Sequence, residues 1–158
     1  MSFEDGQYLG LNTRTQLSSP LTAGGLVILH SPQLFPTPEH DAYIDNTNVN
    51  FYNAGGNNIL HISFRRAEQQ IVFNTAPEGY NWEQEERVAL PELRSNNTFI
   101  IVYDHGNRYQ IIINGRTVHY FNKRYGGQGL EVSYEVNEYT KNSFFSDTLN
   151  VQPAHIFA

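Results

Sequence analysis

The chain has no cysteine among its 158 residues. Disulfides, thiol nucleophiles and cysteine-bound metals are therefore excluded, and either redox compartment is compatible with the composition. No apolar run approaches the ~18 residues of a membrane-spanning helix, so no membrane insertion is expected. The opening residues, MSFEDGQYLG, lack the basic and apolar regions of a signal peptide. Without such a leader, the single glycosylation sequon at Asn96-Asn97-Thr98 is expected to stay unused. Positive charge is scarce: ten Lys and Arg against sixteen Asp and Glu give a formal net charge of −6. The pairs Arg65–Arg66 and Lys123–Arg124 are isolated. No basic stripe exists to release counterions from a phosphate backbone, and no nucleic-acid partner is expected. Helical composition is nearly absent; its best stretch, PEGYNWEQEERVALPEL, is interrupted by Gly79, Pro91 and aromatics. Repeats and heptads are missing too. Charged residues at 16% and aromatics at 13% describe a globular chain, and its length fits one domain, 1–158, with a sizeable core.

Strand signals fill the space that helices leave. GLVILHS (25–31) and TFIIVYD (98–104) are apolar runs of buried-strand length. NVNFYN (48–53), NILHISFR (58–65), QQIVFN (69–74), LEVSYEV (130–136) and TLNVQPAHIF (148–157) read as further strands. RYQIII-NG-RTVHYF is a hairpin, because Asn114-Gly115 tolerates the positive φ of a type I′ turn. NSFFSD (142–147) reads as a loop or an edge strand. About ten short strands at turn-punctuated intervals predict an all-β, antiparallel two-sheet sandwich. One connection, Ser31–Thr47, carries three prolines and no strand period, a length that usually serves function or disorder.

Alternation divides the strands into faces. In NILHISFR, Asn58, Leu60, Ile62 and Phe64 point one way and Ile59, His61 and Ser63 the other; the core takes Leu60, Ile62 and Phe64, and Arg65 joins His61 and Ser63 on the opposite face. In QQIVFN, Val72 and Asn74 share a face opposite Ile71 and Phe73. The short turn RRAEQQ makes these two strands neighbours. Glu85 and Arg87 share a face, and a carboxylate between two guanidiniums would hold both in fixed planes. Trp82, the only indole, lies just before them. Each polar residue alone is best read as the wet side of a half-buried sheet. Together they supply what a pyranose requires. Arg donates in a fork, His and Asn do both, Glu accepts, and an aromatic plate covers the sugar's C–H patch. Galactose, with one continuous C–H face beneath C3 to C5, suits an indole.

Catalysis fits less well. Glu85 and Glu86 point to opposite faces of a strand and cannot flank one glycosidic bond, whereas retaining glycosidases hold two carboxyls roughly 5–5.5 Å apart. Asp104-His105 reads as turn chemistry. His30, His40, His119 and His155 are scattered without metal-ligand spacing. No cofactor, metal or catalytic residue is expected.

The spacing His61-x-Ser63-x-Arg65, Val72-x-Asn74, Trp82-x-x-Glu85-x-Arg87 resembles the carbohydrate-recognition signature of galectins. The pieces IDNTNVNF, ILHISFRR, IVFN, EER, DHGNRYQI and SFFSD resemble mushroom galectins in particular. The resemblance implies a jelly-roll sandwich that binds β-galactosides such as lactose, without cofactor or catalysis. It implies that His61 and Arg65 bind the galactose 4-hydroxyl, Asn74 the 6-hydroxyl, and that Trp82 stacks. Glu85 and Arg87 would hold the next sugar, and Val72 would line the edge. Ser63 replaces an asparagine of animal galectins, and Asp45 or Asn46, from the long loop, would stand in for it. The loop and Arg-Arg pair also resemble a mushroom subgroup that prefers chitooligosaccharides or GalNAcβ1-4GlcNAc, but Trp82 is retained here. The resemblance further implies a homo-oligomer, dimer or tetramer, with QYLGL and NVQPAHIFA as edges. It implies cytoplasmic synthesis followed by leaderless export to the extracellular space or cell wall.

Overall fold

The Asn114-Gly115 turn forms as its sequence requires: the two residues have φ of 49° and 81°. They join β10 (Arg108–Ile113) to β11 (Arg116–Asn122), antiparallel. The structure, a computed structural model, describes residues 2–3, 6–38, 45–94, 96–140 and 142–156. No helix occurs among them. The other strands are β1 (Ser2–Phe3), β2 (Gln7–Gly10), β3 (Thr13–Leu21), β4 (Gly25–Ser31), β5 (Thr47–Tyr52), β6 (Asn58–Arg65) and β7 (Gln70–Ala76). They are followed by β8 (Glu86–Ala89), β9 (Thr98–Asp104), β12 (Gly129–Val136) and β13 (Thr148–His155).

The strands build two antiparallel sheets in a jelly-roll sandwich. One has the order β1-β13-β4-β9-β10-β11, with β2 also pairing β13; the other runs β3-β12-β5-β6-β7-β8. Their inner faces enclose one apolar cluster, including Val27, Ile100 and Ile111 from the first sheet and Phe51, Ile62 and Phe73 from the second. Phe64 meets Phe145 edge-on at 4.9 Å between centroids, a favoured aromatic geometry. Phe144 and Phe145 come from NSFFSD. That segment is a loop closing one end of the core, with a single bridge from Leu34 to Phe145.

Three expectations change. First, β3 has no counterpart in the sequence reading, since its polar TRTQLSSP run hides the period. It is an edge strand, where Pro20 is tolerated. Second, β13 is not an edge. It lies between β4 and the pair β1 and β2, with Pro153 falling between the β2 register (148–151) and the β1 register (154–155). QYLGL does sit at the sheet edge. Third, the faces of Asn58 and Ile59 are exchanged. The β6–β7 register slips by one residue between Asn58 and His61, and the β5–β6 register slips beside it. This β-bulge puts Ile59 and Leu60 together in the core and brings Asn58 into contact with Asn50. The middle of the long connection, 39–44, with His40, lies outside the described residues.

Candidate functional site

Cross-strand register assembles the polar residues into rows on the outer face of the β3-to-β8 sheet. Ser133, Asn50, His61 and Asn74 lie side by side across β12, β5, β6 and β7. Beside them run Glu135, Asn48, Ser63, Val72 and Arg87, ending on β8. Arg65 faces Gln70 in the next row.

His61 is 6% exposed and its Nδ1 lies 2.6 Å from Asn50 Oδ1. The indole of Trp82 covers it, with centroids 4.1 Å apart. Burial, then the Arg65 charge, pushes the imidazole pKa down from 6.5 to about 3, so the ring is neutral in ordinary solution. Its Nε2 has no hydrogen-bond partner among the described residues.

Arg65 belongs to a closed network of charges. Glu85 lies between two guanidiniums, with Oε2 3.6 Å from Arg65 Nη2 and Oε1 2.9 Å from Arg87 Nη2. Glu68 does the same from the β6–β7 turn, at 3.5 Å to Arg65 Nη1 and 3.4 Å to Arg87 Nη1. Hydrogen bonding to Glu85 raises the Arg87 pKa above its usual value. Two carboxylates and two guanidiniums leave the network neutral. Such a site orients donors and acceptors without attracting an anion.

The Trp82 loop is fastened at its base. Glu83 N donates to Thr75 O at 3.0 Å, and Glu83 Oε1 accepts from Thr75 Oγ1 and Tyr125 Oη, each at 2.7 Å. The Thr75 and Tyr125 hydrogen bonds lower the Glu83 pKa. Asn74 Nδ2 donates to Glu83 O at 3.0 Å, while its Oδ1 accepts from Thr75 N and Arg124 Nη1. Since that oxygen is already shared, the second Nδ2 hydrogen makes Asn74 a donor toward any ligand. Arg124 also grips Gln84 O and Glu86 Oε2.

Trp82, 52% exposed, stands between two hollows of about 320 Å³ each. The first is lined by His61, Arg65, Asn74, Trp82, Glu83 and Glu85. The second shares His61, Arg65 and Trp82 and adds Asn46, Asn48, Glu135, Val136 and Asn137.

The structure thus brings together His61, Arg65, Asn74, Trp82 and Glu85, with Arg87 alongside through Glu85. Ser63 and Val72 are fully buried and form the floor of the row; the Ser63 hydroxyl accepts from Arg65 Nε at 3.2 Å. Asp45 is a correction. It is fully buried, and its carboxylate is taken by Arg66, with Nη2 at 2.6 Å and Nε at 3.1 Å. Asn46 is the one of the pair that reaches the second hollow. Sequence reading missed Asn48, whose Nδ2 donates to Asn46 Oδ1 at 3.0 Å and which pairs with Ser63 in register. It also missed Asn50, Glu68, Arg124 and Glu135. Glu85 and Glu86 do diverge: Glu86 is held by His119 at 2.8 Å and by Arg124. His30 lies on Phe99, and His155 Nε2 is 3.1 Å from Ser19 Oγ. No cluster of three or more metal-ligating side chains occurs among the described residues.

A neutral, hydroxyl-reading row beside a half-exposed indole is the site of a carbohydrate-binding protein. The galactoside-binding lectin family model matches residues 12–137, and the chain belongs to that family, the galectins: it is a carbohydrate-binding lectin and not an enzyme. It is 39% identical over 106 residues to a galectin-1 of Coprinopsis cinerea, covering 66% of this chain and 68% of that one. It is 32% identical over 142 residues to an anti-tumor lectin of Cyclocybe aegerita, covering 87% and 88%. The Caenorhabditis elegans galectin LEC-6 shares the fold at a TM-score of 0.68, with 20% identity, covering 100% of this chain and 99% of that one.

Proposed function

We propose that this lectin binds β-galactoside glycans of the lactose or N-acetyllactosamine type. The observation that carries this reading is the Trp82 indole standing half-exposed beside His61 and Arg65. An apolar plate next to a hydroxyl-binding pair matches a sugar with one C–H face and an axial hydroxyl. Each hydroxyl exchanges water for protein, with a net gain of only about 1 kcal/mol. One site therefore binds in the range of roughly a millimolar dissociation constant or somewhat tighter. Calorimetric titration with lactose should give saturable heat, and no heat at millimolar sugar would refute the proposal.

A second reading is favoured by Asn46 and Asn48 in the other hollow: their amides suit acetamido groups, so chitooligosaccharides or GalNAcβ1-4GlcNAc would be preferred. A glycan array holding both ligand classes separates the two. Weak single sites gain avidity when several act together, so we include a dimer or tetramer in the proposal, with the β1/β2 edge as one pairing surface. Analytical ultracentrifugation tests that assembly. Export to the extracellular space or cell wall completes the proposal and is tested by fractionating the producing cells.

A further inference from the structure

The hydrogen bonds behind His61 form a chain that can run in two directions. Asn50 is fully buried and touches four partners. Its Nδ2 donates to Ser133 Oγ at 3.0 Å and to Glu135 Oε1 at 3.1 Å, and its Oδ1 accepts from Asn58 Nδ2 at 2.9 Å and meets His61 Nδ1 at 2.6 Å. Turn the Asn50 amide over, and three of the four partners adapt. Ser133 is a hydroxyl and can donate. Asn58 can present its own Oδ1, a buried atom with no partner in the present arrangement. His61 can take the other tautomer, with Nδ1 accepting and Nε2 protonated. Glu135 alone cannot adapt. Its carboxylate only accepts, and reversal would set it against Asn50 Oδ1 at 3.1 Å.

We propose that Glu135, acting through Asn50, is a positioning residue that fixes His61 as the Nδ1–H tautomer and leaves Nε2 as a bare acceptor facing the ligand. The consequence is a selection rule. Arg65 on the same face can only donate, and His61 Nε2 can only accept. A ligand hydroxyl placed between them must donate to one and accept from the other, which a hydroxyl does and an ether or halide does not. In the reversed chain both neighbours would be donors, and that discrimination would vanish. The sheet order places Glu135 two strands from His61, so the connection exists only in the fold.

The inference rests on the galactoside reading for its affinity measurement but not for its spectroscopic one. Uniformly ¹⁵N-labelled full-length protein, without ligand, reports the His61 tautomer through its two ring-nitrogen shifts. The native ring should be protonated on Nδ1 only. Glu135→Gln keeps the volume and polarity but can turn its amide either way. It should show a population protonated on Nε2, with lactose affinity about tenfold lower and the thermal melt little changed, an effect near one lost hydrogen bond. A native ring protonated on Nε2 overturns the inference, as does a Glu135→Gln protein in which either the tautomer or the affinity is unmoved. If native protein binds no galactoside, the functional reading falls, and the tautomer shift alone then decides this one.

Discussion

Acidification should weaken the fold well before it weakens sugar binding. The His61 imidazole has a pKa of about 3 in the folded protein against 6.5 for the ordinary group, because burial and Arg65 disfavour its charge. The unfolded chain therefore binds a proton that the folded chain refuses between those two values. Stability from this group is fully present above pH 6.5 and is lost as pH falls toward 3. Below pH 6.5 the slope approaches about 1.4 kcal/mol per pH unit, so the step from pH 7 to 5 removes about 2 kcal/mol. That is a large share of the roughly 5–15 kcal/mol typical of a domain. The charged groups around the ring are Arg65 on its own strand, Glu135 reaching it through Asn50 from β5 and β12, and Glu83 and Glu85 on the Trp82 side. Urea unfolding of native protein and of His61→Gln at pH 7, 6, 5 and 4.5 separates the imidazole from the carboxylates. The native curve should lose about 2 kcal/mol more than the variant between pH 7 and 5. Over the same range, the fraction still folded should bind lactose with unchanged affinity, because its ring is still neutral. Parallel pH curves for the two proteins, or an affinity that titrates near pH 6.5, would refute the reasoning.

Three further outcomes follow from the geometry. Trp82→Ala should lower lactose affinity about tenfold or more while leaving the melting temperature within a few degrees, since the indole stands half in solvent; titration calorimetry with differential scanning calorimetry reads both. Glu68→Ala should weaken lactose several-fold by releasing Arg65 and Arg87 together, an effect larger than an ordinary surface ion pair gives, measurable by calorimetry and absent if Glu85 alone orients them. Asp45→Ala should cost roughly 3–5 kcal/mol of stability by leaving Arg66 buried without its partner, whereas Asn46→Ala should melt as native does and change the glycan-array profile.

The strands were legible where side-chain period and turn chemistry agreed. GLVILHS, NILHISFR and TFIIVYD coincide with β4, β6 and β9 to the residue, because each is bounded by turn-forming residues and carries an inward apolar set. The site strands were legible for the same reason: alternation separates His61, Ser63 and Arg65 from Leu60, Ile62 and Phe64. What alternation cannot carry is a slip in register. One inserted residue at Ile59–Leu60 reverses everything upstream of it, so alternation puts Asn58 on the face of Leu60, whereas it belongs to the hydrogen-bond chain behind His61. Glu68, Arg124 and Glu135 stayed hidden for a different reason. Each reaches the site from another strand or turn, and no spacing within a segment announces a neighbour across the sheet.

The Asp45–Asn46 choice shows how far the period could have been taken. Asn46, Asn48 and Asn50 are two residues apart and share the outer face, so extending the β5 alternation upstream selects Asn46 and Asn48 together. The same parity turns Asp45 and Thr47 inward, where both are buried. Downstream, Arg65 and Arg66 divide in the same way. The first stays with Glu68 and Glu85 on the outer face. The second passes beneath, takes both oxygens of Asp45 and caps the carbonyls of Phe35, Asn142 and Ser143. The doubled arginine is thus two separate devices on opposite faces of one strand end. Arg66 anchors the loops from which Asn46 enters the second hollow, and Arg65 lines both hollows. A change at Arg66 should therefore reach the ligand only through the position of Asn46, appearing first as lost stability and second as altered choice between glycans.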